Sequence, residues 1–223
     1  VLAPEINSSF KDFTVIKGDP PAGGDQIRFG LLTIKNLGEH IADRIISQRE
    51  TGGPYKNIED FVTRIQDKDL NKKSLESLIK CGALDSFGER NMLLFNMENL
   101  LNHARDKQKN ASNGQISLFG HTKETVIPIR LADTAPAHST EKLAWEKELL
   151  GLYVSDHPLN TFQEQLKLEK VTLIKNISIN TTGAIKIGGI ITKVQKIITK
   201  TGKPMLFSHV EDLTSKIELV VFP

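Results

Sequence analysis

Side chains that could catalyse a reaction or bind a metal ion are sparse in this sequence. Its one Asp-x-Asp, Asp67-Lys68-Asp69, stands in a polar stretch, whereas two-metal nucleotidyl transfer needs carboxylates fixed on a rigid scaffold. Cys81 has no second cysteine, and the histidines never show the His-x-His or His-x₃-His spacing of a zinc site; they stand at positions 40, 103, 121, 138, 157 and 209. We therefore predict no catalytic residue and no metal site, and a solvated loop at 67–69.

Residues 32–45, Leu-Thr-Ile-Lys-Asn-Leu-Gly-Glu-His-Ile-Ala-Asp-Arg-Ile, resemble a helix-hairpin-helix. A tight turn ending in Gly38 would aim backbone amides and the positive end of the second helix at a phosphate, without regard to base sequence. Asparagine, which also adopts the left-handed conformation, stands at position 36, where the motif usually has glycine. The alternative is an ordinary helix-turn-helix in a protein core. The predicted duplex-DNA contacts are Lys35, Asn36, Leu37, Gly38 and His40.

Basic residues concentrate towards the end of the chain. Residues 161–223 contain 9 Lys/Arg and 5 Asp/Glu, so they hold more than the whole net charge of +2. Lysines for the nucleic-acid backbone and an aromatic ring for base stacking are typical of single-strand binding. The alternative is a solvated lysine-rich face. The predicted single-strand contacts are Lys193, Lys196, Lys200, Lys203 and Phe207.

A short apolar island interrupts the polar, breaker-rich stretch 106–139, which we interpret as a linker. An extended peptide with one polar anchor and two apolar side chains can fill a partner's pocket. The alternative is that this segment folds back onto its own domain. The island consists of Gln115, Ile116, Ser117, Leu118 and Phe119.

The elements that must position these residues change in kind along the chain. From 31 to 105 the apolar spacing is helical, with N-caps predicted at Asn57 and Asn71 and a left-handed helix end at Gly82. One longer helix is expected across 92–104, and another from Glu141 to Leu150. Strands are predicted at 184–198, with a bulge or bend at Gly188-Gly189, at 205–210 and at 216–222. Three such strands resemble the front half of an OB barrel.

Composition supports a folded protein. Of 223 residues, 39% are hydrophobic and 25% charged, which is typical of a soluble globular chain, and no apolar run is long enough to span a bilayer. A single cysteine fits a reducing cytoplasm, so we expect a cytoplasmic location. Because the chain starts at Val1 and stops at Pro223 straight after an apolar run, we expect an excised fragment. The predicted fold class is α+β and multi-domain: a helical helix-hairpin-helix domain, a linker and a partial OB-type β-barrel.

Stretches spread along the whole sequence, in this order, resemble the C-terminal half of the bacterial DNA polymerase III alpha subunits, the C-family replicative polymerases. The stretches are Pro4–Ser9, Ile27–Leu31, Ile34–Gly38, Leu70–Asp85, Glu146–Leu159, Thr199–Met205, Val210–Leu213 and Ile217–Pro223.

The resemblance implies a division into parts. Residues 1–30 resemble the end of a fingers region, 31–105 a tandem helix-hairpin-helix domain that grips duplex DNA, 106–139 a linker with the sliding-clamp-binding motif Gln115–Phe119, 140–170 a helical connector, and 171–223 a partial OB domain that contacts single-stranded template. The catalytic aspartates of the palm lie upstream in that family, so Mg²⁺ is expected only there, and no cofactor and no primer extension are expected here.

The resemblance also implies partners and a role. The partners are duplex and single-stranded DNA, the sliding clamp and other replicase subunits, with no membrane, and the role is to support processive DNA synthesis. Three alternatives stay open: the same region of an error-prone paralogue, a stand-alone helix-hairpin-helix/OB nucleic-acid-binding protein, and a small enzyme with an unrecognised site.

Overall fold

The computed structural model describes residues 1–18, 24–65, 70–112 and 129–223. The chain divides into a first unit, Val1–Ser155, and a second unit, Asp156–Pro223. The first unit is mainly helical and the second contains a three-stranded sheet, so the predicted α+β class is confirmed. Within these described residues, no helix has both the length and the apolar character needed to span a bilayer.

The first unit is a cluster of helices with a small sheet beside it. Two short antiparallel strands, β1 (Thr14–Ile16) and β2 (Gln26–Arg28), precede a 3₁₀ turn at Leu31–Thr33. The described α-helices that follow are α1 (Glu39–Gly52), α2 (Ile58–Arg64), α3 (Lys72–Lys80), α4 (Arg90–Phe95), α5 (Met97–Ser112) and α6 (Ser139–Leu150).

Local sequence signals set several of these helix ends, as predicted. The Asn57 side chain accepts a hydrogen bond from the amide of Asp60 (2.8 Å), and the Asn71 side chain accepts one from the amide of Ser74 (3.1 Å). Gly82, just after α3, has the left-handed φ of +85°. The apolar faces expected in the helical region are buried, including Ile41, Ala42, Ile45, Phe61, Val62 and Ile65.

The single helix expected across 92–104 is wrong, because the structure breaks it at Asn96, between α4 and α5. The buried Asn96 side chain donates from Nδ2 to the carbonyl of Ala132 (2.9 Å) and accepts from the amide of Ala132 (2.9 Å). Two bonds of this kind imitate the pairing of one backbone residue with another. The Asn96 side chain therefore fixes a distant stretch of the chain.

That stretch, residues 129–137, has no regular secondary structure and is named here the return segment. Besides Asn96, three side chains bind its backbone: Glu59 accepts from the amide of Ile129 (3.3 Å), Asn91 donates to the carbonyl of Ala135 (3.2 Å), and Glu89 accepts from the amide of Ala137 (3.0 Å). Polar side chains of α2, of α4 and of the two residues that cap α4 thus take the place that a neighbouring strand would have in a sheet.

The second unit is built around an antiparallel sheet in the order β3 (Ile190–Ile198), β4 (Pro204–Glu211) and β5 (Lys216–Val221). The first strand starts six residues later than expected, and its register shift lies between Ile191 and Lys193 instead of at Gly188-Gly189. Gly189 lies so close to β4 that a Cβ there would be 2.6 Å from the carbonyl oxygen of Glu211. Neither described sheet is closed, so a barrel is not confirmed.

Shorter elements complete the second unit: 3₁₀ turns at Pro158–Phe162 and Ile174–Asn176 and a helix α7 (Gln163–Leu168). Asp212, in the turn between β4 and β5, accepts hydrogen bonds from the amides of Ile174 (2.7 Å) and Ser215 (2.8 Å). One carboxylate therefore ties the chain before the sheet to the β4–β5 turn.

Glu89 makes the free energy of unfolding depend on pH in the acid range. Burial by itself raises the pKa of Glu89, but the Lys142 ammonium and the amides of Ala137, Asn91 and Met92 outweigh it and lower this pKa to about 2, from 4.5. Since the folded-state pKa lies below the unfolded one, the stabilisation is present above pH 4.5 and is lost as the pH falls towards 2. We expect Glu89→Gln to lower the free energy of unfolding by roughly 1–3 kcal/mol at pH 7 and by much less at pH 3, measured by urea denaturation.

The exposed Glu50→Gln is the control for this measurement, and it should change neither value. An equal loss of stability in Glu89→Gln at both pH values would contradict the assignment.

Candidate nucleic-acid interface

The predicted hairpin is present and lies at the surface of the first unit. The 3₁₀ turn at Leu31–Thr33 is joined to α1 by a tight connection in which the amide of Leu37 donates to the carbonyl of Ile34 (3.1 Å). Leu31, Ile34 and Leu37 are buried and anchor the connection in the core, and of the predicted duplex contacts Lys35, Asn36, Gly38 and His40 are exposed. The structure therefore brings these candidate residues together, with Leu37 facing inward.

Asn36 has a left-handed backbone conformation in the connection. Its φ is +68°, in the left-handed region that asparagine tolerates better than most residues. Its side chain donates from Nδ2 to the hydroxyl of Ser77 on α3 (3.1 Å). Asparagine therefore supplies the backbone conformation that glycine usually provides in this motif and adds a bond to the next helix.

Gly38 ends the connection, but its backbone conformation does not require glycine. It is the N-cap of α1, with an extended φ of −80° that any residue adopts, and a Cβ at this position would meet nothing within 4 Å. The fold does not need glycine here. The bare backbone instead leaves open space in front of the first turn of α1, whose amides receive no side-chain acceptor from the cap residue.

The charges beside this open helix end are partly cancelled. Glu39 and Asp43, on the first two turns of α1, would repel an anion, but Lys11 forms ion pairs with both, at 3.2 Å from Asp43 Oδ1. Hydrogen bonds to Glu39 and Asp43 raise the pKa of Lys11 above its ordinary value. The exposed Lys35 ammonium forms no ion pair within the described part of the chain.

The back of the hairpin is held by α6. The amide of Lys35 donates to the carbonyl of Leu149 (3.0 Å), near the end of that helix. Glu146 of α6 in turn lies 3.1 Å from the guanidinium of Arg90, and both side chains are almost fully buried, at 1% and 5% exposure. Arg90 also contacts Asp85, at 2.8 Å, in the turn after α3. The hairpin is therefore held from behind by α6, which the buried Arg90–Glu146 ion pair joins to α4.

The candidate single-strand contacts divide between two faces of the second unit's sheet. Lys193 pairs with His209, and the next pair on the same face joins Gln195 to Phe207, so Lys193 and Phe207 share a face. Lys196 pairs with Leu206 on the opposite face. Lys200 and Lys203 lie at the β3–β4 turn, where the amide of Thr199 donates to the carbonyl of Lys203 (2.9 Å).

Two other sequence predictions fall outside the described residues: the peptide Gln115–Phe119 and the loop Asp67–Asp69. Among the residues that are described, no group of three or more His, Cys, Asp or Glu side chains is placed to hold a metal ion. Cys81 is buried, and this burial raises the pKa of its thiol to about 12.

Sequence reasoning missed the residues that support the hairpin. Lys11 meets Glu39 from 28 positions away, and Ser77 meets Asn36 from 41 positions away. No local spacing pattern signals contacts of this length. The one local clue was an asparagine where glycine is usual, which pointed to the bend but not to its partner.

Comparison with known proteins agrees with the geometry. A sequence profile for the helix-hairpin-helix motif matches residues 1–93, which confirms that prediction. The whole chain is similar to proteins named DNA polymerase III subunit alpha: 35% identical over 226 residues in Thermus aquaticus, 37% over 229 residues in Borreliella burgdorferi, and 36% over 234 residues in Deinococcus radiodurans. It spans 18%, 19% and 17% of their lengths, respectively.

The bend at Asn36 predicts losses of stability of different size for two small substitutions. Asn36→Ala should lower the free energy of unfolding by about 1–2 kcal/mol, because alanine is strained at positive φ and loses the bond to Ser77. Asn36→Gly should lower it by less, since glycine adopts this conformation without strain. Chemical denaturation of both variants measures the difference, and equal losses would show that the hydrogen bond, not the backbone conformation, selects asparagine.

Proposed function

This chain is homologous over its whole length to part of the bacterial DNA polymerase III alpha subunit, and from that relationship we propose that it binds DNA in support of processive replication. This proposal rests on the exposed hairpin. The N-terminal end of α1 is uncovered there, because a Cβ added at Gly38 would meet no atom within 4 Å. Helix amides and dipole at such an end favour a phosphate.

Duplex DNA fits this surface best. A backbone phosphate at the end of α1 would accept hydrogen bonds from main-chain amides, with the exposed Lys35 adding charge. Lys11 reduces the repulsion from Glu39 and Asp43, so a polyanion can approach. Because such contacts read no base, binding is independent of sequence and weakens steeply with salt.

Gly38→Val tests this proposal without disturbing the fold. The backbone at 38 suits any residue and the added side chain meets no protein atom, so the free energy of unfolding should fall by only about 1 kcal/mol, because valine is less favourable than glycine at a helix N-cap. The valine would occupy the space of the phosphate, so we expect affinity for a duplex oligonucleotide to fall at least roughly tenfold at low salt, measured by fluorescence anisotropy.

Gly24→Val is the matched control, since a Cβ at Gly24 also meets nothing within 4 Å, and it should bind duplex like the unmodified chain. Gly30→Ala serves as the folding-defect reference, because its Cβ would lie 2.3 Å from the backbone of Asp12. Unchanged duplex affinity in Gly38→Val would refute the hairpin site and favour the core helix-turn-helix interpretation.

We further propose that β3, β4 and β5 are part of an OB-type barrel that contacts single-stranded DNA. Support comes from three antiparallel strands with a register shift in the first one, and from lysines on β3 and at the β3–β4 turn. Lys193 and Phe207 share one face, so a strand crossing it would meet a charge and a ring together. Lys196, Lys200 and Lys203 would contribute backbone contacts from the other face and the turn.

The two faces can be separated experimentally. We expect Phe207→Leu and Lys193→Ala each to weaken binding of labelled oligo(dT). The loss of the stacking ring in Phe207→Leu should cost about 1–3 kcal/mol of binding free energy. Lys196→Ala should weaken binding less. Phe207→Leu keeps an apolar side chain, and melting temperatures identify any variant that has lost stability. A larger effect of Lys196→Ala than of Lys193→Ala would place the nucleic acid on the opposite face.

Docking to a sliding clamp through Gln115–Phe119 completes the proposal. The support is the resemblance of this peptide to the family's clamp-binding motif. Each contact, with duplex, with single strand or with the clamp, is modest by itself. Because all three belong to one chain, forming one of them raises the effective concentration for the others. Contacts with other replicase subunits, and the five-part division of the chain, are proposed on the same resemblance.

A further inference from the structure

The hairpin contacts α3 through Asn36, and this contact lies beside an exposed lysine of that helix. The Asn36 side chain donates a hydrogen bond to the hydroxyl of Ser77 (3.1 Å), a buried residue of α3. Side chains of an α-helix lean towards its N-terminus, so Ser77 covers the turn that precedes it. Lys73 belongs to that turn, four positions before Ser77, and residues with this spacing have Cβ atoms about 5–6 Å apart on one side of the helix.

The charge of Lys73 is not cancelled by a neighbour. The side chain is exposed, and within the described residues its ammonium forms no ion pair. The two other lysines of α3 are both paired: Lys80 lies 2.6 Å from Glu76, and Lys72 lies 2.8 Å from Glu98 of α5. Lys73 is therefore the lysine of α3 that is best placed to bind an external anion.

Helical geometry separates Lys73 from its neighbour Lys72. Consecutive residues of an α-helix are about 100° apart around its axis, so the two side chains leave α3 in different directions. Lys72 turns towards α5, where it meets Glu98, whereas Lys73 lies on the side of Ser77 and the hairpin. The exposed Lys35 stands next to Asn36 on the hairpin itself. Two lysines without ion pairs in the described residues thus flank the contact between the hairpin and α3.

We propose that the duplex-binding surface continues from the hairpin onto α3, where Lys73 binds a second backbone phosphate of the same duplex. This inference rests on the proposed function of the hairpin. Duplex DNA carries one phosphate charge about every 1.7 Å along its axis, so neighbouring lysines of one surface meet different phosphates. A single phosphate contact leaves the duplex free to rotate about it, whereas a second contact on α3 fixes the orientation of the duplex.

The salt dependence of duplex binding tests this inference. Each phosphate that a lysine neutralises contributes about 0.9 to the slope of the logarithm of affinity against the logarithm of salt concentration. Lys73→Ala should therefore reduce the slope by about 0.9 and lower the affinity roughly three- to tenfold at low salt. Lys73→Arg keeps the charge and should retain both values. Fluorescence anisotropy of a labelled duplex oligonucleotide, titrated with the full chain at several salt concentrations, measures them.

Lys72→Ala is the matched control. It removes the same charge from the adjacent position of the same helix, but it removes that charge from an ion pair with Glu98. The slope should stay that of the unmodified chain. Alanine is a good helix former, so neither substitution should unfold α3, and thermal melting of both variants checks this.

The outcomes distinguish this inference from the proposed function. An unchanged slope in Lys73→Ala, or an equal reduction in Lys72→Ala, overturns the phosphate contact of Lys73. Gly38→Val without loss of duplex affinity overturns the hairpin site, and a reduced slope in Lys73→Ala would then overturn the shared surface, since α3 would bind the duplex by itself. Losses in both Gly38→Val and Lys73→Ala, with Lys72→Ala unchanged, support one surface that spans the hairpin and α3.

Discussion

The hairpin depends on the ion pairs of the buried Arg90 guanidinium. The guanidinium joins the turn after α3, through Asp85 and the carbonyl of Lys80, to Glu146 of α6. Removing one partner of such a pair leaves an uncompensated buried charge, which costs about 3–5 kcal/mol. Because α6 supplies the carbonyl of Leu149 to the amide of Lys35, an ion pair in the core determines where a surface turn presents its backbone.

Elsewhere in the first unit, polar side chains also form hydrogen bonds with backbone groups that would otherwise need a backbone partner. Glu146 accepts the amides of Val154 and Ser155, Asn96 pairs with the backbone of Ala132, and Glu89 accepts the amide of Ala137. These bonds fix irregular segments that regular helices and strands could not stabilise. A turn fixed in this way loses little conformational freedom when it meets a ligand, and this pre-organisation favours binding by exposed backbone groups.

How far the sequence predicts the structure depends on the distance between partners. The caps at Asn57 and Asn71 were predictable because each acts within three residues. The break at Asn96 was not, since its partner lies 36 positions away. Period-two alternation already separates Lys193 from Lys196, but which of them joins Phe207 depends on the hairpin register. The family was evident from ordered stretches of sequence, whereas the supports of the hairpin required the fold.

Because the net charge is only +2, the local arrangement of charged groups matters more for the proposed binding of a polyanion than the overall charge does. Long-range attraction to a polyanion is weak in such a chain, and at physiological salt charges interact over only about 8 Å. The proposed binding to DNA would then come from short-range geometry: an open helix end, the exposed Lys35, and Glu39 and Asp43 already paired with Lys11. In the proposed function each contact of this kind would be weak and easily exchanged, and linkage within one chain would supply the persistence that no single contact provides.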